Sequence, residues 1–215
     1  MFRNREDAAL QLAERLSARK LKDPVVLAIP RGGVVLGAIL ASKLGAELDV
    51  VLARKLRAPY QPELAIGALG EDGEIYMSPF AYDVAGVTDE YIESERKYQV
   101  EEIARRKKLF RKVRPAVEVA GRSVIVTDDG IATGSTMLAA LHVLGAKMAH
   151  EIIVAVPVAP PETLDKFRPQ CDHIECLVAP RFLGAISMFY ADFQQVEDDE
   201  VLRLLGDIAS HGKQA

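Results

Sequence analysis

The spacing of apolar residues changes several times along this chain, and each change marks an element. Over 6–18 they recur at Ala9, Leu10, Leu12, Ala13 and Leu16, the spacing of one helix face. Over 24–29 they become continuous (PVVLAI), as in a strand buried on both faces. The loop Pro30-Arg31-Gly32-Gly33 separates this strand from a helix over 34–44, which Gly45 is placed to close. A second strand over 48–53 ends at Arg54-Lys55. Strand, helix and strand in succession predict a parallel sheet with a right-handed crossover.

From 56 to 120 the alternation breaks. Apolar runs over 64–69 and 74–77 flank Gly70-Glu71-Asp72-Gly73, a predicted hairpin. The stretch 88–113 predicts one long helix, with Thr88 as N-cap and Asp89 and Glu90 in the first turn. Pairs Glu93/Lys97, Glu101/Arg105 and Glu102/Arg106 support it at i,i+4 spacing. At about 37 Å it would be a projection or a covering arm. After Pro115 the alternation resumes: strand 123–127, helix 135–144, strand 151–157, a short helix from Pro161, strand 173–178 and a last helix over 197–208. No internal repeat or interdomain linker interrupts it. The prediction is a single α/β domain over 1–215, a doubly wound parallel sheet with an inserted hairpin and long helix over about 56–120 and a small cap.

Composition narrows the class. A chain of 215 residues can bury a full core in one such domain, and its net charge of −4 gives no overall attraction to nucleic acid or an acidic membrane. The N-terminal helix carries both charge signs, unlike a signal peptide, and no apolar run approaches the ~18 residues of a membrane span, so a cytoplasmic protein is expected. Cys171 and Cys176 find no metal-ligand spacing among His142, His150, His173 and His211 and are read as reduced thiols beside a strand. The basic run Arg105-Arg106-Lys107-Lys108, continued by Arg111, Lys112 and Arg114, is read as the basic end of a helix that starts acidic, in preference to a nucleic-acid surface. RNA binding through it would fall steeply with salt.

The chemistry concentrates in 124–136, VIVTDDGIATGST. A short buried strand delivers two acids, Asp128 and Asp129, and then a small-residue turn that opens into a helix. Two carboxylates can accept from vicinal ribose hydroxyls. The free N–H groups of a helix start, its dipole and the hydroxyls of Thr133, Ser135 and Thr136 can hold a phosphate. Other phosphate and hydrolase motifs fail: the glycines after the first strand lack G-x-G-x-x-G spacing, no Lys follows Gly134, and no G-x-S-x-G is present.

This segment resembles the signature of the type I phosphoribosyltransferases, which bind 5-phosphoribosyl pyrophosphate (PRPP): a hydrophobic strand, two acids, then a T-G-x-T/S loop. The loop 30–33 resembles the family's pyrophosphate loop. Its glycines can present consecutive N–H groups, and Arg31 can fork onto two oxygens. Arg54-Lys55 resemble the basic residue that meets the same pyrophosphate.

The resemblance implies transfer of ribose 5-phosphate from PRPP to an acceptor nitrogen with loss of pyrophosphate, a reaction of nucleotide metabolism and purine or pyrimidine salvage. Asp128 and Asp129 would fix the ribose hydroxyls and meet Mg²⁺ indirectly, through those hydroxyls or water. Ala132, Thr133, Gly134, Ser135 and Thr136 would anchor the 5-phosphate. Arg31, Gly32, Gly33, Arg54 and Lys55 would hold the pyrophosphate, with Arg31 and Lys55 stabilising its departure. The segment after Lys55, with Tyr60, Gln61 and Glu63, takes the place of the family's flexible loop, with no role assigned to those three. The family's base-recognising hood would fall over about 180–193, joined by the N-terminal helix. There Phe182, Phe189 and Tyr190 either stack on a flat acceptor or belong to the core. Ala132 stands where hypoxanthine–guanine enzymes carry an Asp, which argues against a 6-oxopurine acceptor and leaves adenine-type, pyrimidine-type and non-nucleobase acceptors open. The family also suggests a homodimer. The alternative is a non-catalytic PRPP sensor or regulator that keeps the site without the transfer.

Overall fold

A computed structural model describes residues 1–62, 64–78 and 80–211, with side chains as far as 207. Helix α1 (Arg5–Ser17) begins at Asn4, whose side chain accepts from the Asp7 N–H at 2.9 Å. Strand β1 (Val25–Ala28) leads through the glycine loop to α2 (Gly32–Leu44), and Gly45 closes that helix with φ 60°. Strand β2 (Glu47–Val50) follows. The second half of the chain supplies β6 (Ser123–Thr127), α4 (Ser135–Gly145), β7 (Glu151–Val158), α5 (Pro161–Phe167), β8 (His173–Val178) and α6 (Asp198–His211).

These strands form one parallel sheet in the order β2-β1-β6-β7-β8. The chain runs outward from β1 to β2 and later returns to β1's other side, so strand order reverses between β1 and β6. Those two strands pair in register from Val25 opposite Val124 to Ala28 opposite Thr127, which sets the loops after them side by side at the sheet's carboxyl edge. Alternate residues serve opposite faces. Val25, Leu27, Val124 and Val126 pack with Met137 and Leu141 of α4 and Phe167 of α5. Val26, Ala28 and Ile125 pack with Leu12 and Leu16 of α1, Leu36 and Leu40 of α2, and Val201 and Leu205 of α6.

The insertion departs from expectation. The second strand ends at Val50, and Arg54-Lys55 are not a strand-end loop but lie inside a new strand, β3 (Ala53–Arg57). It runs antiparallel to β4 (Ala65–Gly70), with Lys55 opposite Ala68, and β4 pairs in turn with β5 (Ile75–Met77). The expected hairpin is therefore two strands of a three-stranded sheet. Charge hides β3 in the sequence, because only Ala53 and Leu56 of its five residues are buried and its partner lies beyond a loop.

Helix α3 (Asp89–Phe110) is capped by Thr88, whose Oγ1 accepts from the Tyr91 N–H at 3.2 Å. Its 22 residues, about 33 Å at 1.5 Å each, lie along the small sheet, with Ile92 and Ile103 packed on Leu56, Ile66 and Leu69. Its surface pairs form at i,i+3 spacing, Glu93–Arg96 at 3.6 Å and Glu102–Arg105 at 4.0 Å. Much of the basic end turns back onto the fold. Lys107 donates to the Glu71 carbonyl at 3.1 Å, Arg111 pairs with Glu71 at 2.9 Å and with Asp49 at 2.5 Å, and Arg114 reaches Glu47 at 2.8 Å. Asp49 is buried, and that burial raises its carboxyl above the ordinary value despite Arg111 beside it.

The segment after β8 makes one 3-10 turn at Ile186–Phe189 and then pairs with the start of the chain. The Phe2 N–H donates to the Phe189 carbonyl and the Ala191 N–H to the Phe2 carbonyl, both at 2.8 Å. Cys171 and Cys176 are half-buried free thiols. Among the described residues no helix is long and apolar enough to cross a membrane.

Candidate active site

Strand β6 ends at Thr127, and the two acids begin the loop. Gly134, at φ 81°, is the N-cap of α4, and a Cβ there would meet Phe167 and Thr163 at 2.8 Å. Only glycine satisfies both the backbone and the close approach. The loop is steadied from outside by Thr163, whose Oγ1 donates to the Ala132 carbonyl at 2.9 Å. Thr133 and Thr136 are exposed, while Ser135 is buried with its Oγ 3.4 Å from Thr133 Oγ1. Hydroxyls and the unsatisfied N–H groups of the first helical turn thus share one small-residue turn. On one side the turn borders a cleft of about 710 Å³ whose walls include Leu64, Phe80, Ala132 and Leu138.

The acids meet the glycine loop directly. A Cβ on Gly32 would fall on Asp129 Oδ2, and one on Gly33 would lie 2.9 Å from the Thr127 carbonyl oxygen. The Asp129 N–H donates to Asp128 Oδ1 at 2.8 Å. Burial first, and then the charge of Asp129, hold the Asp128 carboxyl well above the usual carboxylate range. Asp129 is ion-paired instead. Arg5 Nε and one terminal nitrogen both lie 2.8 Å from its Oδ2, with the two side chains 11% and 14% exposed. The other terminal nitrogen of Arg5 donates to the Gln194 carbonyl at 2.7 Å, and the guanidinium sits 3.8 Å from the Phe193 ring centroid.

The basic residues read from the sequence divide. Arg31, at the N-cap of α2 and following a cis peptide bond from Pro30, reaches Glu197 at 3.2 Å. Arg54 and Lys55 line a recess of about 270 Å³ with Pro62 and Thr136, so β3 brings them to the first turn of α4. Gly32 and Gly33 are not among its walls. Arg54 is aimed by a relay: it donates to Gln99 Oε1 at 3.0 Å, Gln99 donates to Glu95 Oε1 at 2.9 Å, and Glu95 takes Arg57 Nε at 2.7 Å.

The three aromatic candidates have three environments. Phe182 is 93% exposed and Phe189 is half-buried. Tyr190 is 5% exposed, its ring packed 5.3 Å from Phe2 and 4.9 Å from Phe193. Its hydroxyl, raised well above its ordinary pKa mainly by burial, donates to the Asp129 carbonyl at 2.6 Å. Of the loop residues after Lys55, Glu63 lies outside the described residues, and Tyr60 is exposed.

The sequence reading misses Arg5, which the fold brings onto the candidate residue Asp129. One signal was available: a cation at the first position of a helix opposes the dipole, and here its partner is a carboxylate 124 residues away. Among the described residues no three His, Cys, Asp or Glu side chains converge as a metal cage. The donor set present, one ion-paired carboxylate and one held toward neutrality, fits a hydrated Mg²⁺ carried largely by ligand oxygens, not one bound by protein alone.

A family profile described as phosphoribosyl transferase domain matches residues 3–188. Two Mycobacterium tuberculosis proteins, from strains CDC 1551 and H37Rv, bear names that mark them provisionally as phosphoribosyl transferases. Each is 38% identical over 205 residues, 95% of this chain but 46% of its own length. The chain thus spans about half the length of these curated relatives. The crystal structure of TT1426 from Thermus thermophilus is 41% identical and covers 96% of this chain and 98% of its own, with a TM-score of 0.91. With the profile spanning most of its length and these relatives beside it, the chain belongs to the phosphoribosyl transferase domain family.

Proposed function

We propose that this protein transfers the 5-phosphoribosyl group of PRPP to an acceptor nitrogen and releases pyrophosphate. The observation that carries the reading is the contact between two strand-end loops: the Asp129 carboxylate lies directly over Gly32, so one ligand can touch the acids and the glycine loop together, and the turn 132–136 continues the loop that carries the acids. The hydroxyls and helix N–H groups of Ala132, Thr133, Gly134, Ser135 and Thr136 hold the 5-phosphate, and Asp128 and Asp129 take the ribose hydroxyls. Binding energy at the phosphate, remote from C1, then serves to orient the reacting carbon. Gly32 and Gly33 present N–H groups to the pyrophosphate, and Arg31 reaches it by leaving Glu197. Arg54 and Lys55, beside Thr136, act at the 5-phosphate edge of the donor. Asp128 and Asp129 would meet a Mg²⁺ carried in with the substrate through ribose hydroxyls or water, and that ion would supply neutralising charge for the leaving pyrophosphate. The acceptor lies toward Phe182, the aromatic ring of the three with its faces open, and Ala132 argues against 6-oxopurines.

A second reading, a PRPP sensor without transfer, is favoured by one observation: the Arg31 guanidinium is engaged by Glu197. Calorimetric titration of PRPP with Mg²⁺, followed by pyrophosphate release across a panel of free bases, separates the two. Binding with release supports the transferase, and binding with no release from any acceptor supports the sensor. Unchanged PRPP affinity in the double variant Asp128→Asn, Asp129→Asn would overturn both.

A further inference from the structure

We propose that Arg5 is a positioning residue of the donor site, holding the Asp129 carboxylate in the orientation that meets a ribose hydroxyl. The proposal rests on the assignment of the two acids to ribose and goes beyond it, by making the start of the chain and the segment 189–194 part of the site. Both Arg5 donors that reach Asp129 converge on a single oxygen, Oδ2, at 2.8 Å. One carboxylate oxygen is therefore tied, and that tie sets the direction in which the other faces. The Arg5 fork is itself fixed on its remaining sides, by the Gln194 carbonyl at 2.7 Å and by the Phe193 ring beneath it. The loop backbone is held separately, by the Tyr190 hydroxyl on the Asp129 carbonyl.

Arg5 is so placed because Phe2 and Arg3 pair with 189–192, which fixes where α1 begins. A planar guanidinium stacked on a ring and bonded through its edges sets an angle as well as a charge, which a lysine does not. Without it, Asp129 is free to rotate off Gly32 and its hydroxyl contact loses direction. No direct contact between Arg5 and substrate is required.

The test compares calorimetric affinities for ribose 5-phosphate and its 2-deoxy and 3-deoxy analogues. The wild-type protein is expected to prefer ribose 5-phosphate over at least one analogue by about tenfold, the worth of a hydrogen bond to a charged group. Arg5→Gln should bring that preference to within about twofold of parity, while the affinity for the analogues stays within about twofold of wild type. A purely structural role would weaken all three sugars alike, so that pattern overturns the proposal, as does a full preference in Arg5→Gln. Arg5→Lys keeps the charge without the fork and should restore less than half of the preference. If Arg5→Gln does not fold, a full preference in Arg5→Lys overturns the proposal by itself. A wild-type protein that ignores both hydroxyls would refute the assignment of the acids, and this inference with it. Discrimination present in the wild type and retained in full without Arg5 would refute the inference alone.

Discussion

Replacing Gly32 with Ala puts a methyl group where the Asp129 carboxylate now lies, 3.3 Å from Arg5 Nε. Gly32 is the first residue of α2, where Ala is the better helix former, so propensity alone predicts a gain of about 0.5–1 kcal/mol. The clash decides the sign. Asp129 must move off Oδ2's present position, breaking an ion pair whose side chains are 11% and 14% exposed. Separating such a pair costs about 3–5 kcal/mol, which leaves a net loss of about 2–4 kcal/mol. For a domain of this size that is a fall of about 5–15 °C in melting temperature. Scanning calorimetry measures it, and the same sample titrated with PRPP should show weakened binding. The cause can be isolated in a double-mutant cycle, because Asp129→Ala removes the group that is struck. In that background Gly32→Ala should be neutral or mildly stabilising. The reasoning is refuted if Gly32→Ala melts with the wild type, or if its cost persists once Asp129 is gone.

Glu95, 6% exposed, is pushed up by burial, but its hydrogen bonds from Arg57 and Gln99 outweigh this and hold the carboxyl below its ordinary 4.5. Its contribution is therefore complete above that value and lost as pH falls through the lower folded one. Glu95→Gln should cost about 2–3 kcal/mol at neutral pH, less than a fully buried pair because Arg57 is partly exposed, and a pH series of melts should show the gap to wild type closing below 4.5. A gap that stays constant into acid would show that charge is not its source. Gly145→Ala, at the end of α4 with nothing within 4 Å of the added Cβ, should stabilise by about 0.5–1 kcal/mol, and a lower melting temperature would contradict that. The Cys171 thiol is pushed up to about 11, mainly by burial, so alkylation at pH 8 should be far slower than for a free cysteine, and labelling at the free-thiol rate would disprove it.

The parallel sheet was legible because its central strands are buried on both faces and so read as unbroken apolar runs, Val25–Ala28 and Ser123–Thr127 foremost. The long helix was legible from its cap and first turn. What escaped depended on partners distant in sequence. The run of β3 looks like surface charge until β4 lies against it and Glu95 takes Arg57. Arg5 looks like an ordinary helix-start cation until the fold brings Asp129 to it. The aromatic residues of 182–190 share one composition and have three fates, because alternation in so short a segment does not say which ring meets Phe2 and which meets solvent.

The strand-order reversal between β1 and β6 carries a consequence for how such a protein diversifies. The two loops at that point are welded by the central hydrogen-bond ladder, so their spacing cannot drift without loss of the core. On the proposed reading, in which the acceptor lies toward Phe182, substitutions that alter its choice would accumulate on that rim. Phe193 and Gln194 are the exception: they hold Arg5, so change there is transmitted inward to the Asp129 carboxylate that Arg5 ties.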